Sequence, residues 1–420
     1  MWRALYTLGL RLAAPLLVLR LWWRGLREPG YRERIGERFG FYRDAAPVRP
    51  VLWLHAVSVG EARASAALAR ALAAAHPGHD LLMTCMTAAG RETLEELHGE
   101  SVRIAWLPYD YPGAVRRFLD HFGPRLAVFV ETEIWPNLLA ACAARGVPAL
   151  LANARMSEKS ARGYQRWRSL MQPALASFAV VCAQSEADAV RLRSLGARRV
   201  VYCGNLKFDS APDELERSKG KAWRERLGRP VLLLASTREG EEKILLQAMG
   251  EIAGVALAVI VPRHPRRFDE VAALVAPDGA AVARRSRGEW PGPAARVFLG
   301  DTMGEMDFYY AAADVAVIGG SFVPRGGQNL IEACAAGAPV VLGPSMFNFA
   351  EATRLAIEAG AALQAADAVS AMRQASALLS DAGKRTAMGE AGRNLCAAHR
   401  GATQRHLEYC SELLRAPGRG

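Results

Sequence analysis

Residues 315–344 read VAVIGGSFVPRGGQNLIEACAAGAPVVLGP, and this stretch decides the fold. Val315–Ile318 is an apolar run without polar alternation, the mark of a strand buried on both faces. Gly319, Gly320 and Ser321 end it, and Gly326-Gly327 makes a loop. A helix is expected to open at about Gln328, and Pro339–Leu342 is the next apolar run. Strand, loop, helix and strand in this order form a βαβ unit, so the sheet is parallel. Backbone N–H groups at the start of that helix favour an anion. Glu332, about one helical turn after Asn329, shares its face and can accept hydrogen bonds from two vicinal ribose hydroxyls.

The same rhythm continues outward. Upstream lie the apolar runs Val231–Ala235, Val255–Val261 and Val297–Leu299. Farther upstream a first series comprises Val51–Ser58, Leu81–Thr87, Leu126–Glu131, Ala149–Ala152, Phe178–Gln184 and Val200–Cys203. Between its members lie Ala-rich helical patterns such as Ala62–Ala75 and Leu138–Arg145. Asp209–Arg226, DSAPDELERSKGKAWRER, has no strand pattern and is rich in charge, so it reads as a connection between domains. From about Ala365 to Leu414 only helices are expected. The class is α/β: two Rossmann-like domains, 45–208 and 227–420 with its terminal helices, joined by the linker 209–226 and facing across a cleft. Ligands of such folds bind outside the carboxyl ends of the strands, where the chemistry is sought.

The chain has 420 residues, 51% hydrophobic and 23% charged, which excludes a disordered protein and fits two or three domains. Its seven cysteines are scattered and never form CxxC, so neither a disulfide framework nor a zinc knuckle is expected. Net charge is +11, and residues 1–44 supply +5 of it through nine arginines against four acids. Basicity concentrated at one end argues against a nucleic-acid partner for the whole chain. Residues 1–23, MWRALYTLGLRLAAPLLVLRLWW, are strongly apolar, with Arg11 interrupting the run and no small-residue cleavage site following. The segment 1–44 therefore reads as a membrane anchor and basic segment, marginally spanning or lying in the interface; the alternative is a core helix of the first domain. Trp22 and Trp23 would sit at headgroup level, with Arg20, Arg24, Arg27, Arg32 and Arg34 against an anionic phospholipid surface and the body on the cytoplasmic side.

Four further strand ends carry candidate residues. In His55–Glu61, HAVSVGE, Gly60 permits a tight turn and Glu61 lands at a helix N-terminus. An acid there meets the helix dipole, and it can also take a proton from an attacking hydroxyl. In Phe129–Asn137, FVETEIWPN, Glu131 closes the strand and is the cleft candidate, whereas Glu133 reads as a helix cap. Two acids two apart suggest a divalent metal, but no DxD or His-rich element accompanies them. In Gly204–Asp209, GNLKFD, Lys207 can meet a phosphate or carboxylate. In Val261–Arg267, VPRHPRR, three arginines make an anion clamp, and His264 reads as a hydrogen-bonding residue.

HAVSVGE, ETEIWPN, ANARMSEKSARGY, GNLKFD, VPRHPRRF, GDTMGEM, GGSFVPRGGQNLIEA and GPSMFNF occur in this order between residues 55 and 349. Together they resemble the 3-deoxy-D-manno-octulosonic acid (Kdo) transferases of Gram-negative lipopolysaccharide assembly, which are GT-B glycosyltransferases. The resemblance runs from the N-terminal anchor to about residue 350; Gln328 stands where that family commonly carries His. It implies inverting transfer of Kdo from CMP-Kdo to the lipid A precursor (lipid IVA) at the cytoplasmic face of the inner membrane. Residues 45–208 would bind the acceptor and 227–420 the nucleotide-sugar. By the same resemblance Glu61 is the general base, and Glu131 and Lys207 assist the transition state. Pro262, Arg263, Met303, Gly304, Glu305, Asn329, Leu330, Ile331 and Glu332 are similar to the family's CMP contacts. CMP leaves with a single phosphate, so cationic side chains suffice and neither metal nor cofactor is expected. Two alternatives stay open: another GT-B enzyme using a UDP-sugar, and a non-catalytic membrane-associated binding protein on this scaffold.

Overall fold

The computed structural model describes residues 1–210, 212–250, 256–276 and 282–416. They fall into two units, Met1–Ser210 with the chain from Arg400 onward, and Ala211–His399. The first is built on β1 (Val51–His55), β2 (Asp80–Cys85), β3 (Arg103–Trp106), β4 (Pro124–Val130), β5 (Ala149–Ala154), β6 (Val180–Ala183) and β7 (Val200–Tyr202). Their order is β3-β2-β1-β4-β5-β6-β7, and every pairing is parallel; Leu54, for example, lies opposite Met83 and Val128. The unalternating apolar runs follow from burial of both faces. Val51 and Trp53 pack with Phe118 and Phe129 on one side, whereas Leu52 and Leu54 pack with Leu68 and Leu72 on the other.

The second unit repeats the plan with β8 (Val231–Thr237), β9 (Leu257–Pro262), β10 (Ala283–Arg284), β11 (Val297–Leu299), β12 (Val315–Ile318), β13 (Val340–Leu342) and β14 (Ala362–Gln364). The order is β10-β11-β9-β8-β12-β13-β14, again parallel. Val255, expected to begin β9, lies outside the described residues. Both units are thus parallel-sheet α/β domains.

Three expectations about organisation are corrected. The charged stretch read as a linker, 209–226, is mostly the helix Glu214–Leu227 of the second unit. Trp223 is buried there against Phe298 and Phe308, and a Cβ on Gly220 would sit 2.2 Å from the Phe308 carbonyl oxygen. One aromatic and one glycine seat this otherwise polar helix. The second domain, expected to run to 420, instead ends at His399, and the helix Ala402–Arg415 buries Ala402 and Cys410 in the core of the first unit. The basic segment before residue 45 is part of the first unit as well. Arg34 pairs with Glu37 and Asp44, and Arg38 is 1% exposed, with its guanidinium 3.9 Å from the Trp106 ring centroid. Arg38 therefore belongs to the domain's own packing, and Arg34 is engaged by the domain's acids at its surface. The preceding helix, Trp2–Arg27, is long and apolar enough to cross a membrane.

Candidate active site

In the first unit β1 ends at His55, and the chain enters the helix Val59–Ala75 with Glu61 in its first turn. Glu61 accepts from the Val57 N–H at 2.7 Å and from the Ser58 hydroxyl at 3.2 Å, so it ties down the turn that enters the helix rather than capping the helix's own N–H groups. A carboxylate has about four acceptor sites, and these two bonds leave the others for a substrate. Burial pushes the Glu61 carboxyl up to about 8, and the negative charges of Glu131 and Glu133 add to the shift. Glu61 therefore shares one electrostatic neighbourhood with both acids at the end of β4.

Glu131 follows β4 with φ +66°, a left-handed conformation that a non-glycine residue adopts only under constraint. Its N–H stays in the ladder, donating to the Ala152 carbonyl at 2.8 Å, while Lys207 Nζ donates to Oε1 at 2.9 Å. Burial works against ionisation of Glu131, but Lys207 and Arg155 outweigh it and hold the carboxyl below its usual range. Neighbouring carboxyls are thus driven apart: Glu61 keeps its proton up to about 8, whereas Glu131 is ionised.

Glu133 is not the helix cap expected of it. The helix Pro136–Ala144 has Trp135 as its N-cap, and its buried first-turn N–H groups on Asn137 and Leu138 donate to Asp110 at 2.9 and 2.8 Å. Glu133 instead accepts from Trp135 Nε1 at 2.8 Å and lies 3.8 Å from Nε2 of the buried His55. That nitrogen has no hydrogen-bond partner, while Nδ1 is held by Thr84.

Lys207 sits on the short turn Leu206–Asp209, and the last helix braces that turn. Asp209 accepts from the N–H groups of Gly401, at 2.7 Å, and Thr403. His406 Nε2 accepts from the Asn153 N–H at 2.9 Å, and Nδ1 donates to Ala402 O at 2.7 Å. Burial lowers the His406 pKa to about 4, so the ring is neutral and can accept. Asn153, with φ +51°, in turn accepts from the Leu206 N–H at 3.0 Å. Asn153 and Arg155, lying at and just beyond a strand end inside ANARMSEKSARGY, had a positional signal; His406 had none.

In the second unit Pro262 ends β9, and the Arg263 N–H donates to the Thr237 carbonyl at 3.0 Å. Arg238, just past β8, meets His264 and had the same strand-end signal as Arg263 without being picked out. Burial and the cations Arg238, Arg263, Arg266 and Arg267 push His264 down to about 4. This is a concentrated positive field around a neutral imidazole. Of the three arginines expected to clamp an anion, Arg267 is spoken for: it is 6% exposed and paired with Glu242 at 2.6 Å and Glu270 at 2.8 Å. Arg238 joins Arg263 and Arg266 among the cations that act on His264.

The glycine loop after β12 is shaped by close approach. A Cβ on Gly319 would lie 2.5 Å from the Ser236 carbonyl oxygen, and Gly326 and Gly327 have φ +82° and +74°. Glu241 ties the loop down, accepting from the Gly320 and Phe322 N–H groups at 2.5 and 2.9 Å. The left-handed glycines delay the helix expected at about Gln328: it runs Ile331–Ala336, with Leu330 as N-cap. A helix this short has little dipole, which leaves the arginines as the stronger positive charge at this sheet end. Asn329 and Glu332 do share a face, with Asn329 Nδ2 donating to Glu332 Oε1 at 2.9 Å. Glu305 opens the helix Met306–Ala312 and accepts from Arg285 at 2.7 Å, next to the exposed Met303 and the left-handed Gly304. Pro262 ends β9 and Arg263 follows it, Met303–Glu305 follow β11, and Asn329–Glu332 follow β12. With β8 these strands are consecutive in the sheet, so every candidate nucleotide contact stands at one sheet end.

Among the described residues one trio of metal-ligand side chains converges, Cys182, Cys203 and His406. Both ring nitrogens of His406 are already hydrogen-bonded to Asn153 and Ala402, so the trio is core packing.

A family model described as 3-deoxy-D-manno-octulosonic-acid transferase (kdotransferase) matches residues 33–210. The chain is 48% identical over 429 residues to the 3-deoxy-D-manno-octulosonic acid transferase of Bordetella pertussis, covering 99% of this chain and 100% of that one. It is 35% identical over 425 residues to the enzyme of the same name from Haemophilus influenzae, covering 99% of each. A glycosyltransferase structure from Rickettsia africae superposes with TM-score 0.61 at 13% identity, over 88% of this chain and 100% of that one, a likeness of fold.

Proposed function

The chain belongs to the 3-deoxy-D-manno-octulosonic acid transferase family and is a glycosyltransferase of GT-B fold, and we propose that it transfers Kdo from CMP-Kdo to the lipid A precursor lipid IVA, with inversion, at the cytoplasmic face of the inner membrane. The observation that carries this reading is the divergence of two neighbouring carboxyls, Glu61 with its pKa near 8 and Glu131 ionised against Lys207. A carboxyl with a raised pKa is a stronger base once deprotonated, as needed to take a proton from an acceptor hydroxyl. An ionised carboxylate stabilises the positive charge that develops on the anomeric carbon as the leaving group departs. Lys207 keeps that carboxylate charged.

On the second unit Arg238, Arg263 and Arg266 receive the phosphate of CMP, and Glu332, oriented by Asn329, receives the ribose hydroxyls. Pro262, Met303, Gly304, Glu305, Leu330 and Ile331 complete the nucleotide surface. The leaving group carries one phosphate, and fixed cations neutralise it without a metal. Mass spectrometry of the product from purified protein, CMP-Kdo and tetraacylated lipid A precursor tests the reading: Kdo-bearing lipid is expected, and unmodified acceptor would refute it. Thermal stabilisation by UDP in place of CMP would overturn the donor assignment.

A further inference from the structure

The helix Trp2–Arg27 has two opposed faces. Leu5, Leu8, Leu12, Leu16, Leu19 and Trp23 recur at spacings of three and four along one of them, and each is more than half exposed. The other face is fastened to the first unit at both ends. Tyr6 bonds the Asp110 carboxylate, Asn137 donates to Thr7 at 2.9 Å, and the Tyr111 hydroxyl donates to the Leu10 carbonyl at 2.8 Å. Toward the other end Leu21 is buried with Tyr31 and Ala88.

Tyr6 and Leu21 are about 22 Å apart along the helix at 1.5 Å per residue. A helix crossing the hydrocarbon core, about 30 Å thick, would carry its partners in with it, Asp110 and Asn137 included. Lying along the surface, it leaves those partners buried inside the first unit, outside the hydrocarbon, and offers only the leucine face to lipid. Beside its first turns is a cavity of about 620 Å³ lined by Arg3, Arg11, Arg116 and Arg145 together with Ala140 and Ala144. Arg145 is paired with Asp120 at 2.6 Å; among the described residues Arg3, Arg11 and Arg116 form no ion pair. An apolar face bordered by uncompensated arginines is complementary to acyl chains beneath anionic headgroups.

We infer that this helix lies in the plane of an anionic membrane surface, its leucine face among the acyl chains, and that the arginine-lined cavity takes the phosphate of an anionic phospholipid headgroup. The inference rests on the membrane location proposed above and fixes its orientation.

The test uses the full chain on phosphatidylcholine vesicles with and without phosphatidylglycerol, in the absence of donor and acceptor. Nitroxides on cysteines introduced singly at Leu5, Leu12, Leu19 and Leu26 are read for depth, since the seven native cysteines are buried. One shared shallow depth is expected. A profile deepest in the middle, with the two ends reachable from opposite sides of the bilayer, would overturn the inference. Arg116→Gln is expected to weaken binding to the anionic vesicles about fivefold and to leave binding to neutral vesicles unchanged. Unchanged affinity for anionic vesicles would overturn the headgroup site, and a raised acceptor KM alongside it would assign the cavity to the acceptor. Transfer to detergent-dispersed acceptor is measured separately, so failure of the orientation and failure of the proposed reaction give different results.

Discussion

Glu61 and Glu131 are the same carboxyl in similar burial, and a lysine 2.9 Å from one of them separates their charge states. Glu61→Gln should lower kcat by about 10²-fold or more while CMP affinity, read by calorimetry, is retained. Wild-type transfer should rise with pH through about 8, because only the deprotonated carboxyl is a base. Stability runs the other way. Below the ordinary value of 4.5 Glu61 is protonated in both the folded and the unfolded chain; between 4.5 and about 8 only the folded chain holds the proton. Folding stability therefore falls across that window as pH rises. Glu61→Gln escapes this loss, so its Tm relative to wild type should increase from pH 4.5 to above pH 8; a constant difference would mean that Glu61 is not buried as described. On the other unit, Glu332→Ala should weaken CMP by roughly 1.5–3 kcal/mol, the worth of hydrogen bonds to a charged group. An unchanged Kd would reduce Glu332 to an ordinary helix residue.

The helix Ala402–Arg415 shows what an element contributes that its own sequence does not announce. His406 satisfies the Asn153 N–H, and Asn153 fixes the turn carrying Lys207, so the last helix of the chain positions a residue of the first unit's site. His406→Leu should cost about 1–3 kcal/mol in urea unfolding of the first unit, the penalty for an unpaired buried N–H. It should also lower kcat with CMP affinity unchanged; a stability loss without a kcat effect would limit the helix to packing. Sequence separation hid this link, since the two partners stand 253 residues apart. The central strands were legible because burial on both faces removes polar alternation. β3, β10 and β14 were not, and each is a sheet edge that stays partly exposed, through Arg103, both residues of β10 and Gln364. Glu61, Glu131 and Lys207 could be picked out because strand ends are where parallel sheets place ligands. The role of Glu133 and the late start of the helix at Ile331 depended on backbone turns that composition does not encode.

At the scale of the molecule the positive charge has two destinations. One is the N-terminal helix and its cavity; the other is the strand-end cluster of Arg238, Arg263 and Arg266, where a neutral His264 records the strength of the field. That cluster bears on whether the reaction needs a metal. A leaving monophosphate must be neutralised as it departs, and guanidinium groups held at strand ends supply fixed charge without reorganisation. The acids best placed to compete for a cation are Glu131 and Glu133. Glu131 is already bonded to Lys207, which a metal would have to displace, and Glu133 accepts from Trp135 Nε1. Transfer should therefore persist after exhaustive chelation with EDTA, and Arg238→Gln should weaken CMP where EDTA does not. If chelation abolishes transfer and Mg²⁺ restores it, the cationic clamp is insufficient. Calorimetry of Mg²⁺ on Glu131→Gln would then locate the metal, because loss of Mg²⁺ binding itself would show that the cation had replaced Lys207 as partner of that carboxylate.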